Sequence, residues 1–126
     1  MHEDENALNR VSDRIIGCAF QVMNTLGVGF LEKVYENALA HELRKAGLRV
    51  AQQQGITVRY DIVVGEYTAD TLAGNAVIVE MKAVKALDSI HTAQCINYLK
   101  ASGIRLSLLL NFGKPRIEIH RLANGI

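Results

Sequence analysis

The run Val77-Ile78-Val79-Glu80-Met81-Lys82-Ala83 limits the fold more than any other stretch of this chain. It is rich in β-branched and apolar residues, and the turn signal Gly74-Asn75 stands just ahead of it, so it reads as a strand entered from a tight turn. Successive side chains on a strand point to opposite faces. Val77, Val79 and Met81 therefore share one face, while Ile78, Glu80 and Lys82 share the other.

The preceding strand carries Asp70, whose face depends on the connection. A two-residue loop at Gly74-Asn75 sets Asp70 across from Val79, on the wrong side of the sheet. A three-residue loop at Ala73-Gly74-Asn75 sets it across from Ile78 and diagonal to Glu80, about 7–8 Å away at Cα. The odd loop, or a bulge with Gly74 or Asn75 at positive φ, is expected. Two carboxylates so placed can share one hard cation with bonds of about 2.1 Å.

Periodicity orders the remainder. Leu8, Val11, Ile15, Cys18, Ala19, Val22 and Leu26 recur at helical spacing, so residues of about 7 to 26 form an amphipathic helix. Gly27-Val28-Gly29 breaks it. A second helix spans Leu31 to Ala46, with Gly47 in the position after the cap where glycine is favoured. Leu48 to Gln53 reads as a short strand, Gly55 interrupts, and Ile56 to Tyr60 is a clearer one. Ile62 to Val64 meets a turn or bend at Gly65-Glu66 before Tyr67 to Leu72. The central strand, Ala76 to Ala83, is followed by a helix capped at Asp88 or Ser89 and running to about Ala101. Ile104 to Asn111 is nearly all apolar, as in a strand covered on both faces. Gly113-Lys114-Pro115 turns the chain into an alternating edge strand, Ile117 to Leu122. The order is ααβββαββ. A β-α-β unit with two parallel strands beside an antiparallel hairpin makes an α/β protein with a mixed sheet.

At 126 residues, with 49% hydrophobic and 21% charged content, one globular domain over residues 1–126 is expected. No apolar run approaches the roughly 20 residues that span a bilayer. The start, Met1 to Asn6, is acidic where a signal peptide would be basic. A cytoplasmic protein without a membrane partner is expected. Cys18 and Cys95 sit in separate helices and read as structural thiols. His2, His41, His91 and His120 show no zinc spacing. The formal net charge of +1 lacks the basic excess that usually marks nucleic-acid binders, which leaves only a local patch for such a partner.

Three groups of residues could carry chemistry. Asp70, Glu80 and Lys82 offer two carboxylates and an ammonium, a set that can hold Mg²⁺ or Mn²⁺ and steady charge on a phosphate. The plain alternative is an exposed sheet face with a Glu–Lys ion pair worth under about 1 kcal/mol. Glu32 and Glu36 lie four apart on one helix face, where a shared cation would relieve their repulsion. The plain alternative is acids favoured by the start of a helix. Gln94 and Tyr98, with His91 one turn earlier, face the charged side of the sheet if their helix crosses it. Otherwise they form a solvated helix face, with Tyr98 half-buried against Leu99.

Gly29-Phe30-Leu31-Glu32-Lys33-Val34-Tyr35 resembles the signature of the GxxExxY protein family, placed in the PD-(D/E)xK nuclease superfamily. The resemblance runs from about Asp13 to Arg121. It takes in Ala69-Asp70, the Val77–Ala83 strand, Ala93 to Leu99 and Leu110-Asn111-Phe112-Gly113. It implies a restriction-endonuclease-like αβββαβ core, here with an extra N-terminal helix, and a metal-dependent phosphodiesterase site. Carried over residue by residue, Asp70 and Glu80 are metal ligands and Lys82 the catalytic lysine. Glu32 matches an extra acid on the first core helix. Gln94 and Tyr98 match a Q-x-x-x-Y pattern that contacts the substrate strand. The chain departs from the pattern at Thr68, where a basic residue is usual, and at Thr71, where an apolar one is usual.

The leading expectation is a Mg²⁺- or Mn²⁺-dependent nuclease acting on DNA, with metal on Glu32, Asp70 and Glu80. The alternative is a binding or regulatory module that keeps the fold with little catalysis and forms a homodimer through an apolar helix face or the last strand.

Overall fold

The computed structural model describes residues 2–124. Met1, from the acidic opening stretch, and the last two residues lie outside the description, as do the side chains of residues 2–4. The elements run α1 (His2–Leu26), α2 (Glu32–Lys45), β1 (Val50–Tyr60), β2 (Ile62–Ala73), β3 (Val77–Lys82), α3 (Ser89–Ser102), β4 (Leu106–Asn111) and β5 (Glu118–Ala123). This is the expected ααβββαββ order. The five strands form one mixed sheet in the order β1-β2-β3-β4-β5, with β3 and β4 parallel and the other pairs antiparallel. Among the described residues no helix is long and apolar enough to cross a membrane.

The central strands are covered on both sides, as their apolar runs require. Val77, Val79 and Met81 of β3 join Leu106, Leu108 and Leu110 of β4 under α1 and α2, which contribute Ile15, Ala19, Val22, Tyr35, Leu39 and Leu43. Each fully buried aliphatic side chain of this kind contributes about 1.5–3 kcal/mol. The opposite face is a smaller core, where Ile78 and Ala69 meet Tyr98 and Leu99 of α3. Helix ends follow the sequence signals. At the end of α2, Gly47 has φ 87°, its N–H bonds to Arg44 O, and Leu48 N–H bonds to Leu43 O, a Schellman closure. Asp88 caps α3 by accepting from the N–H groups of Ile90 and His91, and His91 Nδ1 accepts from Asp88 N–H in return. His91 thus completes a capping box. Cys18 and Cys95 are free thiols on different helices.

Two expectations need correction. The first concerns the breaks at Gly55 and Gly65. Both glycines lie inside continuous strands, opposite Thr68 and Val58. Neither has positive φ, so each is an ordinary extended residue, and the chain reverses at Asp61 with φ 60°. The result is a long β1–β2 arm. Only Thr71–Ala73 of β2 pair with β3, and the arm projects beyond that pairing with Tyr60, Ile62, Val63, Val64 and Tyr67 exposed.

The second correction concerns the β2–β3 turn. The loop is Gly74-Asn75-Ala76, one residue later than expected, because Ala73 pairs with Val77. Gly74 and Asn75 have φ of 61° and 54°, and Ala76 N–H closes the turn on Ala73 O. The loop is odd in length, as expected. The one-residue displacement puts Asp70 across from Glu80 when the Thr71–Val79 register is extended, instead of across from Ile78.

Candidate active site

Backbone pairing between β2 and β3 stops at Thr71 and Val79. One residue further on, side chains take over. Asp70 N–H donates to Glu80 Oε2 at 2.7 Å, and Met81 N–H donates to Asp70 Oδ2 at 2.9 Å. Each carboxylate accepts the amide proton of the strand opposite. The exchange satisfies two amides that would otherwise lack partners, and it fixes two acids face to face.

That position is electrostatically costly. Glu80 is only 3% exposed. Burial and then the charge of Asp70 push its pKa up to about 8, while the Asp70 amide and Lys82 pull it down less strongly. Asp70 is also raised, first by burial. The Met81 amide and Lys82 oppose that shift, whereas Glu36 and Glu32 add to it. Two carboxylates in this state gain from a cation, since an opposite charge favours the ionised forms.

Lys82 lies two residues past Glu80, on the same face and half-buried, opposite Asn111 of β4. It has no ion-pair partner within 4.0 Å among the described residues, so the exposed Glu–Lys pair considered above is not what the strand carries. Glu32 opens α2 and is exposed, and its Oε2 accepts from Ala83 N–H at 3.3 Å. It therefore reaches the end of the Lys82 strand. The three acids expected to surround one ion are brought into one region but not into one tight cluster. Among the described residues no three His, Cys, Asp or Glu side chains form a group that could enclose a metal.

Tyr98 is 4% exposed, more deeply buried than a solvated or half-buried helix face would allow. Burial, then the charges of Glu80 and Asp70, push its phenol up to about 12. The ring therefore stands within the field of the acid pair, tilted against Tyr67 with centroids 5.6 Å apart. Gln94, one turn earlier on α3, is half-buried. His91 is engaged in the helix cap and takes no part.

Several supporting contacts were not legible in the sequence. Glu36 is 3% exposed and accepts from Lys33 Nζ (3.0 Å), Gln52 Nε2 (2.8 Å) and Gln53 Nε2 (2.9 Å). Gln53 has φ 56°, an unusual conformation for a residue with a side chain. It sits between the Gln52–Thr71 and Gln54–Ala69 pairs, at the rung facing Asp70. The signal was the Gln52-Gln53-Gln54 run on a strand. Tyr35 stacks on Phe112 at 4.6 Å, and its hydroxyl bonds to Gly27 O and Phe30 N–H, pinning the loop that sets Glu32. Asn111 accepts from the N–H groups of Val84 and Gly113 and donates to Val84 O and Glu118 Oε1. It ties the segment after Lys82 to the end of β4. Thr71, the departure from the apolar pattern, is fully buried, and its hydroxyl has no partner among the described residues.

The family model of the PD-(D/E)XK nuclease superfamily matches residues 9–122. No curated protein and no solved structure matches the chain at a significant level. A five-stranded mixed sheet flanked by helices is consistent with a restriction-endonuclease-like fold. With that geometry and a match over nearly its whole length, the chain belongs to the PD-(D/E)XK nuclease superfamily.

Proposed function

We propose that residues 1–126 form a single metal-dependent nuclease domain that hydrolyses phosphodiesters in DNA. One observation carries this reading. Buried Glu80 and half-buried Asp70 stand opposite each other with raised proton affinities, and among the described residues Lys82 is left without a carboxylate partner. A strand face built only for stability would pair that lysine with Glu80.

Asp70 and Glu80 would hold the ion, with Glu32 completing the set from the start of α2. Oxygen-only donors of this kind suit Mg²⁺ or Mn²⁺. Such an ion, when bound, supplies Lewis acidity to a phosphate oxygen and acidifies a water. Lys82 does not bind that ion; it orients the attacking water and faces the charge that builds on phosphorus. Tyr98 and Gln94 on α3 position the scissile strand.

The decisive experiment is cleavage of single- and double-stranded DNA with Mn²⁺ by wild type, Glu80→Ala and Lys82→Ala. Loss of cleavage in both variants, with folding retained, supports the proposal. Equal residual activity in all three overturns it.

One observation favours a second reading, a nuclease fold that binds without cutting. Both carboxylates already accept backbone amides, and no three-ligand group is assembled among the described residues. Calorimetry separates the two. Mn²⁺ binding that Asp70→Ala abolishes supports the enzyme, and its absence in wild type supports the module.

A further inference from the structure

A concavity of about 820 Å³ lies between the β1–β2 arm and α3. Its lining includes Arg59, Tyr67, Leu72, Ile78, Asn97 and Lys100. Leu72 and Ile78 are a directly paired couple. Two residues further along those strands stand Asp70 and Glu80, joined by their exchange of amide and carboxylate. The groove therefore runs out onto the acid pair. Tyr67 stands where groove and site meet, about half exposed, with its ring against Tyr98.

The lining has a charge pattern that the composition does not predict. The chain holds 14 basic and 13 acidic residues. The groove has Arg59 on the arm and Lys100 on α3, and no aspartate or glutamate lines it. Neither cation has an ion-pair partner among the described residues. Two free cations on opposite walls, an aromatic ring between them and the acids, and an apolar floor suit a ligand that alternates anionic and flat apolar units. A nucleic-acid strand has that alternation, since phosphates pair with cations and every base presents a π-face to an aromatic ring. An acidic peptide would satisfy the cations but offers nothing to the tyrosine. The volume falls in the range of about 300–1,000 Å³ typical of pockets for small ligands. That is room for a few nucleotides of one strand and not for a duplex.

We propose that this groove binds a single strand of nucleic acid, with phosphates on Arg59 and Lys100 and a base stacked on Tyr67, and leads it to Asp70 and Glu80. Only the last clause rests on the nuclease reading. The binding itself does not, and the two can fail separately.

The test is fluorescence anisotropy with a labelled 12-residue oligodeoxythymidine and a duplex of equal length, on metal-free protein in EDTA so that no cleavage occurs. Wild type is expected to bind the single strand at least about tenfold more tightly than the duplex. Arg59→Glu and Lys100→Glu should each weaken single-strand binding and flatten its salt dependence. Tyr67→Ala should weaken it by about 5–150-fold, the range for one lost base stack, and Tyr67→Phe should restore it. Arg59, Lys100 and Tyr67 are all exposed, and thermal unfolding checks that the variants fold. Unchanged affinity in the folded variants, a preference for duplex, or displacement of the oligonucleotide by polyglutamate at equal charge concentration would each overturn the proposal. Cleavage with Mn²⁺ by wild type and Glu80→Ala is read separately. Groove binding without cleavage leaves this inference standing and removes the nuclease reading. Cleavage with unaffected groove variants does the reverse.

Discussion

Glu36 and Glu80 are equally buried, each 3% exposed, yet their surroundings differ in kind. Around Glu36, the α2–β1 region supplies an ammonium and two side-chain amides, so both carboxylate oxygens are engaged. Around Glu80, the β2–β3 region supplies one backbone amide and a second acid. The first arrangement is complete as it stands. The second is improved by a positive charge from outside the chain. Burial alone therefore does not mark a functional carboxylate; an incomplete set of partners does.

The largest expected effect falls on cleavage. Glu80→Ala and Lys82→Ala should each lower Mn²⁺-dependent hydrolysis by at least about a hundredfold, the lower bound for losing a positioned acid–base group. Glu36→Ala should leave metal affinity closer to wild type but cost stability. It removes charge-assisted bonds worth about 1.5–3 kcal/mol and leaves Gln52 and Gln53 without their acceptor. Urea unfolding measures that loss. If Glu36→Ala is as stable as wild type, the contrast between the two glutamates fails.

The pH dependence sharpens the contrast further. The folded pKa of Glu80 lies near 8 against an ordinary value of 4.5. The folded state therefore holds its proton more tightly than the unfolded state does. Stability from this group is fully present below about 4.5 and is lost as pH rises toward 8. Asp70 shifts in the same direction. Metal-free protein should show a falling urea midpoint from pH 5 to pH 8, Glu80→Gln should flatten the slope, and millimolar Mg²⁺ should restore stability at pH 8. A midpoint that does not fall in metal-free wild type would contradict this. The smallest effect is expected at Thr71→Val, which removes a buried hydroxyl with no partner among the described residues and should stabilise the protein by about 1 kcal/mol.

Much of this was readable from residue pattern. Helices, strand order and the shared face of Glu80 and Lys82 follow from periodicity, and the capping aspartate and closing glycines mark their own ends. Register was less accessible. Ala76 is as acceptable in a strand as in a turn, so the turn position was uncertain by one residue, and that residue moves Asp70 from Ile78 to Glu80. Gly55 and Gly65 read as breaks because glycine more often marks a turn, and only their pairing with Thr68 and Val58 across the hairpin shows them to be extended. The partners of Glu36 were hidden because Gln52 and Gln53 meet it only after α2 and β1 have packed. Asn111 looked like the end of an apolar run, and its bonds to Val84 span 27 residues.

That asparagine clasp has a consequence for genetics. Gly113 passes so close to the Val84 backbone that an added Cβ would overlap it, and a residue there would push on the segment leaving Lys82 and on the amide that Glu32 holds. In a loss-of-function screen, position 113 should score as intolerant as position 80, although it carries no reactive group at all.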